Sequence, residues 1–155
     1  MRRCTFSVGL IALSGLILVY SFSSRAAEWP LVTDEEFRLE RAAPHIAESF
    51  ALPPQGAPII EVEQPDQSKP IRSPVSIRIL FRAQGGAVID RSSLRIYYGW
   101  LRIDITQKVL EHAQLTDSGL TAADARLPSG HHRVALQIAD NKRRASMQIF
   151  EFTVE

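Results

Sequence analysis

The sequence predicts an all-β fold, an antiparallel sandwich of about seven strands. Three observations carry this. Short apolar runs alternate with period two, as half-buried strands do. Turn-forming residues separate those runs at close spacing. No long helical pattern alternates with them, which argues against a parallel α/β architecture. The chain has 155 residues, 45% apolar and 23% charged, which suits one globular domain and an additional segment.

The additional segment is N-terminal, residues 1–26. Arg2 and Arg3 precede an uncharged run from Cys4 to Ser24, rich in Val, Leu and Ile, and Ser24-Arg25-Ala26 offers small residues for cleavage after Ala26. That is a signal-peptide layout. A twin-arginine signal is disfavoured because Phe6 stands one place late, and a lipoprotein signal because Cys4 precedes the apolar run. The same run is near the length of a bilayer span, so a membrane tether through residues 4–24 is the alternative. Both readings put the remainder outside the cytoplasm, in the periplasm or on the outer face of the inner membrane.

Cys4 is the only cysteine, so a processed chain has no disulfide despite an oxidising compartment. Cleavage would also remove Arg2, Arg3 and Arg25. The whole-chain net charge of +1 then becomes −2, from 15 basic residues (18 less those three) against 17 acidic ones. Charge therefore argues against a nucleic-acid partner.

Residues 27–57 read as a stalk with a short helix. Thr33 and Glu36 form a capping-box pattern, which predicts a helix from Asp34 to about Ala43. Acidic residues in its first turn suit the helix dipole. Pro44 ends it, and Pro53, Pro54, Gly56 and Pro58 make a stiff connection. Phe37, Leu39, Ile46, Phe50 and Leu52 form no single apolar stripe, so poor packing is expected here.

The sandwich is expected over residues 58–155. Ile59, Ile60 and Val62 make a first short strand. Val75, Ile77, Ile79 and Phe81 alternate with polar residues in a clean second strand. Ile89-Asp90-Arg91-Ser92 reads as a turn. Leu94, Ile96 and Tyr98 share a face, and a tight turn or kink around Gly99-Trp100 explains a flip of parity towards Leu101, Ile103 and Ile105. Residues 106–115 fit either a helix or a strand, and Leu120–Leu127 reads as an edge strand. Val134, Leu136 and Ile138 form one face of the penultimate strand, which the turn Asp140-Asn141-Lys142-Arg143 joins to a last strand with Phe150, Phe152 and Val154 inward. Met147 and Ile149 have the opposite parity, which predicts a β-bulge near Ile149. The expected core includes Ile77, Ile79, Phe81, Val134, Leu136, Ile138, Phe150 and Phe152.

Residues 58–155 resemble a bacterial immunoglobulin-like domain of secreted and envelope proteins. The resemblance rests on Pro58-Ile59-Ile60-Glu61-Val62, Ser73-Pro74-Val75-Ser76-Ile77 and Ile89-Asp90-Arg91-Ser92-Ser93-Leu94. It rests above all on the ending: Leu127-Pro128-Ser129-Gly130-His131-His132, Val134 to Asp140, and Phe150-Glu151-Phe152-Thr153-Val154. In such domains a Pro-x-Gly turn opens the penultimate strand and an F-x-V-like strand closes the fold. The resemblance implies a disulfide-free variant, since the antibody-type cysteine pair is absent. It implies a fold and not an activity.

Of chemistry there is little sign. His131 and His132 are candidate metal ligands, but neighbours on a strand point to opposite faces. Copper-carrying periplasmic sandwiches have a similar closing strand, yet Ala27-Glu28-Trp29 stands where their histidine would. Ser, His and Asp residues show no nucleophile motif, so no enzyme, catalytic residue or cofactor is expected. Tyr97, Tyr98 and Trp100 cluster beside Gly99 and are candidate binding residues for a sugar or a protein partner, with core packing the alternative for Tyr98 and Trp100; Arg143, in the basic turn Lys142-Arg143-Arg144, is a candidate for an anionic lipid or a glycan. The expected function is a non-catalytic binding or structural accessory module of the cell envelope, with metal carriage and glycan binding as alternatives.

Overall fold

The computed structural model describes residues 28–44, 52–66 and 68–155. The expected signal or anchor, residues 1–26, lies outside the described residues, as do Ile46 and Phe50. Among the described residues no helix is long and apolar enough to cross a membrane. In chain order the elements are β1 (Trp29–Pro30), α1 (Asp34–Ala42), β2 (Ile59–Gln64), β3 (Val75–Arg82), β4 (Ile89–Tyr98), β5 (Ile103–Asp104), α2 (Thr106–Leu110), β6 (Ala113–Thr116), β7 (Gly119–Arg126), β8 (Gly130–Asp140) and β9 (Ala145–Val154).

The strands form two sheets in a sandwich-like arrangement. One sheet runs β1-β7-β3-β2, with β6 also paired to β7; the other runs β5-β4-β8-β9. All pairs are antiparallel except β1 with β7. Alternation directs one face of each strand into a shared core of Val75, Ile79, Phe81, Leu94, Ile96, Tyr98, Leu120, Val134, Leu136, Ile138, Phe150, Phe152 and Val154. Such apolar burial is the main favourable term in folding. Ile77 is half-buried and packs against this core, beside a shift in the β3–β7 register between Val75 and Ile77.

Three expectations are corrected, and one choice between two alternatives is resolved. Leu120 belongs to a central strand, since β7 lies between β3 on one side and β1 and β6 on the other. Residues 106–115 hold both alternatives, a five-residue helix and then the start of a strand. Ile89–Ser92 is the start of β4, and its turn chemistry survives inside a register shift. There the Asp90 carboxylate accepts from the Ser92 amide at 3.0 Å and hydroxyl at 2.6 Å. No bulge occurs near Ile149, because the β8–β9 ladder is unbroken from Gly130↔Val154 to Ala139↔Ala145. Met147 and Ile149 instead stand half-buried on the outer face, opposite Gln137 and Ala135.

The largest departure concerns the expected stalk. Trp29, Leu31, Val32 and Phe37 belong to the core cluster, so residues 29–37 are part of the sandwich. The helix itself forms as the capping box predicts. Glu36 N–H donates to Thr33 Oγ1 at 3.2 Å, and Thr33 N–H donates to Glu36 Oε2 at 2.8 Å. Glu36 also meets Lys108 Nζ at 2.8 Å, which ties α1 to α2. Burial works against its charge, but the Lys108 and Thr33 hydrogen bonds outweigh that and hold its pKa below the ordinary value.

Candidate functional site

Helix α1 closes one end of the sandwich through two side chains, and two glycines make room for them. Phe37 lies over Gly130, where an added Cβ would stand 2.5 Å from the ring. Glu40, 7% exposed, sits on Gly99, where a Cβ would be 2.0 Å from its carboxyl carbon. Gly99 has φ 71°, a conformation that favours glycine. It forms the tight turn between β4 and β5, and that turn presents its amides to the helix. Trp100 N–H donates to Glu40 Oε1 and Leu101 N–H to Glu40 Oε2 at 3.2 Å. Two backbone donors thus satisfy one buried carboxylate.

Below Phe37 lies His132, 1% exposed on the inner face of β8. Its ring stacks between Phe37, with centroids 4.9 Å apart, and Phe152, at 5.6 Å. Both ring nitrogens are engaged. Nε2 lies 2.8 Å from the Pro128 carbonyl oxygen, an acceptor only, so Nε2 carries the proton. Nδ1 therefore accepts from the Tyr98 hydroxyl at 2.8 Å. Burial is the main cause that holds the His132 pKa below its ordinary value; the adjacent His131 adds to this and the Pro128 bond opposes it. Burial first, and then Glu40 and Glu36, raise that of Tyr98.

This arrangement has a pH consequence. An unfolded histidine takes a proton as the pH falls through about 6.5, while folded His132 stays neutral to lower pH. Its contribution to stability is therefore present above pH 6.5 and is lost as the pH falls from there towards the depressed folded value. Denaturant midpoints measured from pH 7.5 to 5 are expected to decline across that window, and His132→Gln is expected to flatten the decline. An equal decline in the variant would show that another group is responsible.

The binding residues expected from sequence do not form one site. Tyr98 is 1% exposed and belongs to the core. Its hydroxyl is retained inside because His132 satisfies it. Tyr97 is half-buried on the outer face, with the Arg102 guanidinium 4.8 Å over its ring. Trp100 is half-buried, with Arg133 at 4.1 Å over its ring. Arg143 is exposed at φ 61° in the β8–β9 turn, at the opposite end of the hairpin; eleven-residue β8 puts it on the order of 25 Å from the Gly99 turn. His131 and His132 point to opposite faces. His131 is exposed beside Glu151 at 3.7 Å, and His132 has no ring nitrogen left for a ligand.

Sequence reasoning missed Arg133 and Glu40. Arg133 lies on the outer face yet is only 6% exposed, and its main-chain oxygen accepts from Gly99 N–H at 2.8 Å. Its Nε approaches Glu151 at 3.5 Å. Glu40 is a helix carboxylate buried three residues after Phe37, a spacing that puts both on one face. That spacing is the only signal in the sequence, and it is weak because one partner is charged.

A second feature is the edge of β9. Ile71 N–H donates to the Thr153 carbonyl, and Glu155 N–H donates to Ile71 O, both at 2.9 Å. In a regular strand these positions alternate, so the odd-numbered residues of β9 direct their backbone groups away from β8. Ile71 covers this edge at its end, and the Ser146 hydroxyl reaches Pro58 O at 2.5 Å near its start. Between them, Met147, Ile149 and Glu151 carry outward N–H and C=O groups that no described strand pairs, although the Gln148 side-chain amide donates to the Ile149 carbonyl at 3.1 Å. Comparison with known proteins finds no matching family model, no matching curated protein and no matching solved structure.

Proposed function

We propose that this chain is an exported, non-catalytic immunoglobulin-like module that holds another component of the cell envelope by strand addition. The strand order supports the immunoglobulin-like reading. With β2, β3, β6 and β7 taken as strands A, B, D and E, one sheet runs A-B-E-D. With β4, β5, β8 and β9 taken as C, C′, F and G, the other runs C′-C-F-G. The observation that carries the binding reading is the middle of the β9 edge, which no described strand pairs. An extended segment of a partner protein laid against Met147–Glu151 would pair with a row of backbone donors and acceptors already held straight by β8. Half-buried Met147 and Ile149 flank that row on the outer face.

Ile149→Pro tests this directly. The Ile149 amide points outward, so proline there deletes an edge donor and leaves the β8–β9 ladder intact. Crosslinking and pull-down from envelope extracts are expected to recover a partner with the native chain and about tenfold less with Ile149→Pro, with similar melting curves. Gln148→Pro, whose amide serves the ladder, is expected to destabilise the fold instead. Partner recovery undiminished by Ile149→Pro would refute strand addition at this edge.

A further inference from the structure

The outer face of the other sheet carries a polar groove. Gln64 pairs in register with Arg78, Arg78 with Thr121, and Thr121 with Gln114. Four polar side chains therefore line up across β2, β3, β7 and β6, a span of about 14 Å at the usual strand spacing. All four residues are exposed. With Ser76 and His112 they line a depression of about 350 Å³, within the size range of small-ligand sites. Register shifts between Val62 and Gln64 and between Val75 and Ile77 flank it, and such bulges bend a sheet locally.

The groove has a rigid wall. His112 stacks on Trp29 with centroids 4.5 Å apart and planes 12° from parallel. Trp29 is fixed in turn by its indole N–H, which donates to Ala123 O at 2.8 Å. The exposed imidazole is thus a flat surface already held in place.

The chemistry of the lining narrows the ligand. Two primary amides, two hydroxyls and an imidazole can each donate and accept hydrogen bonds. Among the described residues none of these five side chains makes a hydrogen bond, whereas Arg82 on the same strand is paired to Glu61 at 2.8 Å. Mixed donor–acceptor groups in a row suit a ligand whose own groups are mixed, a chain of sugar hydroxyls and acetamides. A peptide strand suits it poorly, because the backbone under the row is already used in ladders on both sides of β3 and β7. The lining carries one fixed charge, Arg78, whose Nε meets Glu63 only at 3.9 Å in an exposed pair, so a ligand carboxylate can displace Glu63 there.

We propose that this groove binds an oligosaccharide bearing a carboxylate, with the carboxylate on Arg78, the sugar hydroxyls along Gln64, Thr121 and Gln114, and a ring face on His112. The extracytoplasmic reading enters only in the choice of probe. Glycan strands of peptidoglycan stripped of their peptides carry a lactyl carboxylate on alternate sugars, and chitooligosaccharides are related N-acetylated chains without it. Calorimetric titration of the full chain is expected to show the stripped strands binding at least about tenfold more tightly. Gln114→Ala and His112→Ala are each expected to weaken binding about tenfold, and Arg78→Gln to erase the difference between the probes. These are surface substitutions, so melting curves should stay close to that of the native chain. Equal binding of both probes would overturn the carboxylate assignment. Binding of neither probe, or binding indifferent to Gln114→Ala and His112→Ala, would overturn the groove. Ile149→Pro lies on the other sheet and is expected to leave glycan binding unchanged, which separates this site from the strand-addition edge.

Discussion

Phe152→Ala is expected to lower the free energy of unfolding by about 3–5 kcal/mol. Phe152 is 6% exposed on the inner face of β9, opposite His132 in the ladder and stacked on its ring. Removing it opens a cavity where β8, β9 and the docked helix meet, and it strips the apolar cover from a buried imidazole. A domain of this size has a total stability of about 5–15 kcal/mol, so the loss is a large share of the whole. The only cysteine is Cys4, so no disulfide within the sandwich offsets it. Urea titration checks the expectation; an unchanged midpoint would mean that β9 packs in another register.

Gly99→Ala is expected to cost about 2–4 kcal/mol. The φ of 71° disfavours any residue with a Cβ, and that Cβ would lie on the Glu40 carboxylate. To relieve the clash Glu40 must withdraw, which leaves the Trp100 and Leu101 amides without their acceptor and a carboxylate without its donors. The distinguishing experiment is a double-mutant cycle with Glu40→Ala. Because both substitutions break one contact, their effects should fall short of additivity by about 0.5–3 kcal/mol. Hydrogen exchange of residues 34–42 should quicken in both single variants. Strict additivity would show that Glu40 and the Gly99 turn act separately.

Much of the local structure was legible from residues alone. Thr33 and Glu36 predicted the start of α1 because a capping box is a local chemical pattern, complete within four residues. The alternation in β3, β8 and β9 predicted which side chains face inward, since period two follows from strand geometry. Gly99 was recognised as a turn because the parity of the apolar residues flips across it. Register was less legible: the shifts at Val62/Gln64, Val75/Ile77 and Asp90/Arg95 leave no signal in the alternation. The bulge expected at Ile149 came from treating every apolar residue as inward-facing, whereas Met147 and Ile149 stand half-buried on the outer face.

The sites were less legible, because they are made by contacts distant in sequence. Glu40 meets Trp100 across sixty positions, and Lys108 meets Glu36 across seventy-two. Nothing local to either residue announces the other. The polar groove has the same origin: Gln64, Arg78, Thr121 and Gln114 become neighbours only once four strands are in register.

By itself the sequence determined the fold class, the inward faces of the long strands, the capped helix and the absence of a cysteine pair. Those depend on backbone periodicity and local hydrogen bonding, which a short window contains. Only the tertiary structure decided that residues 29–37 belong to the core, that Tyr98 serves His132 rather than a ligand, and that β7 is central. Each of those outcomes is set by which buried polar group finds its partner and which apolar side chain finds a cavity. Those pairings exist only after the two sheets have closed on each other.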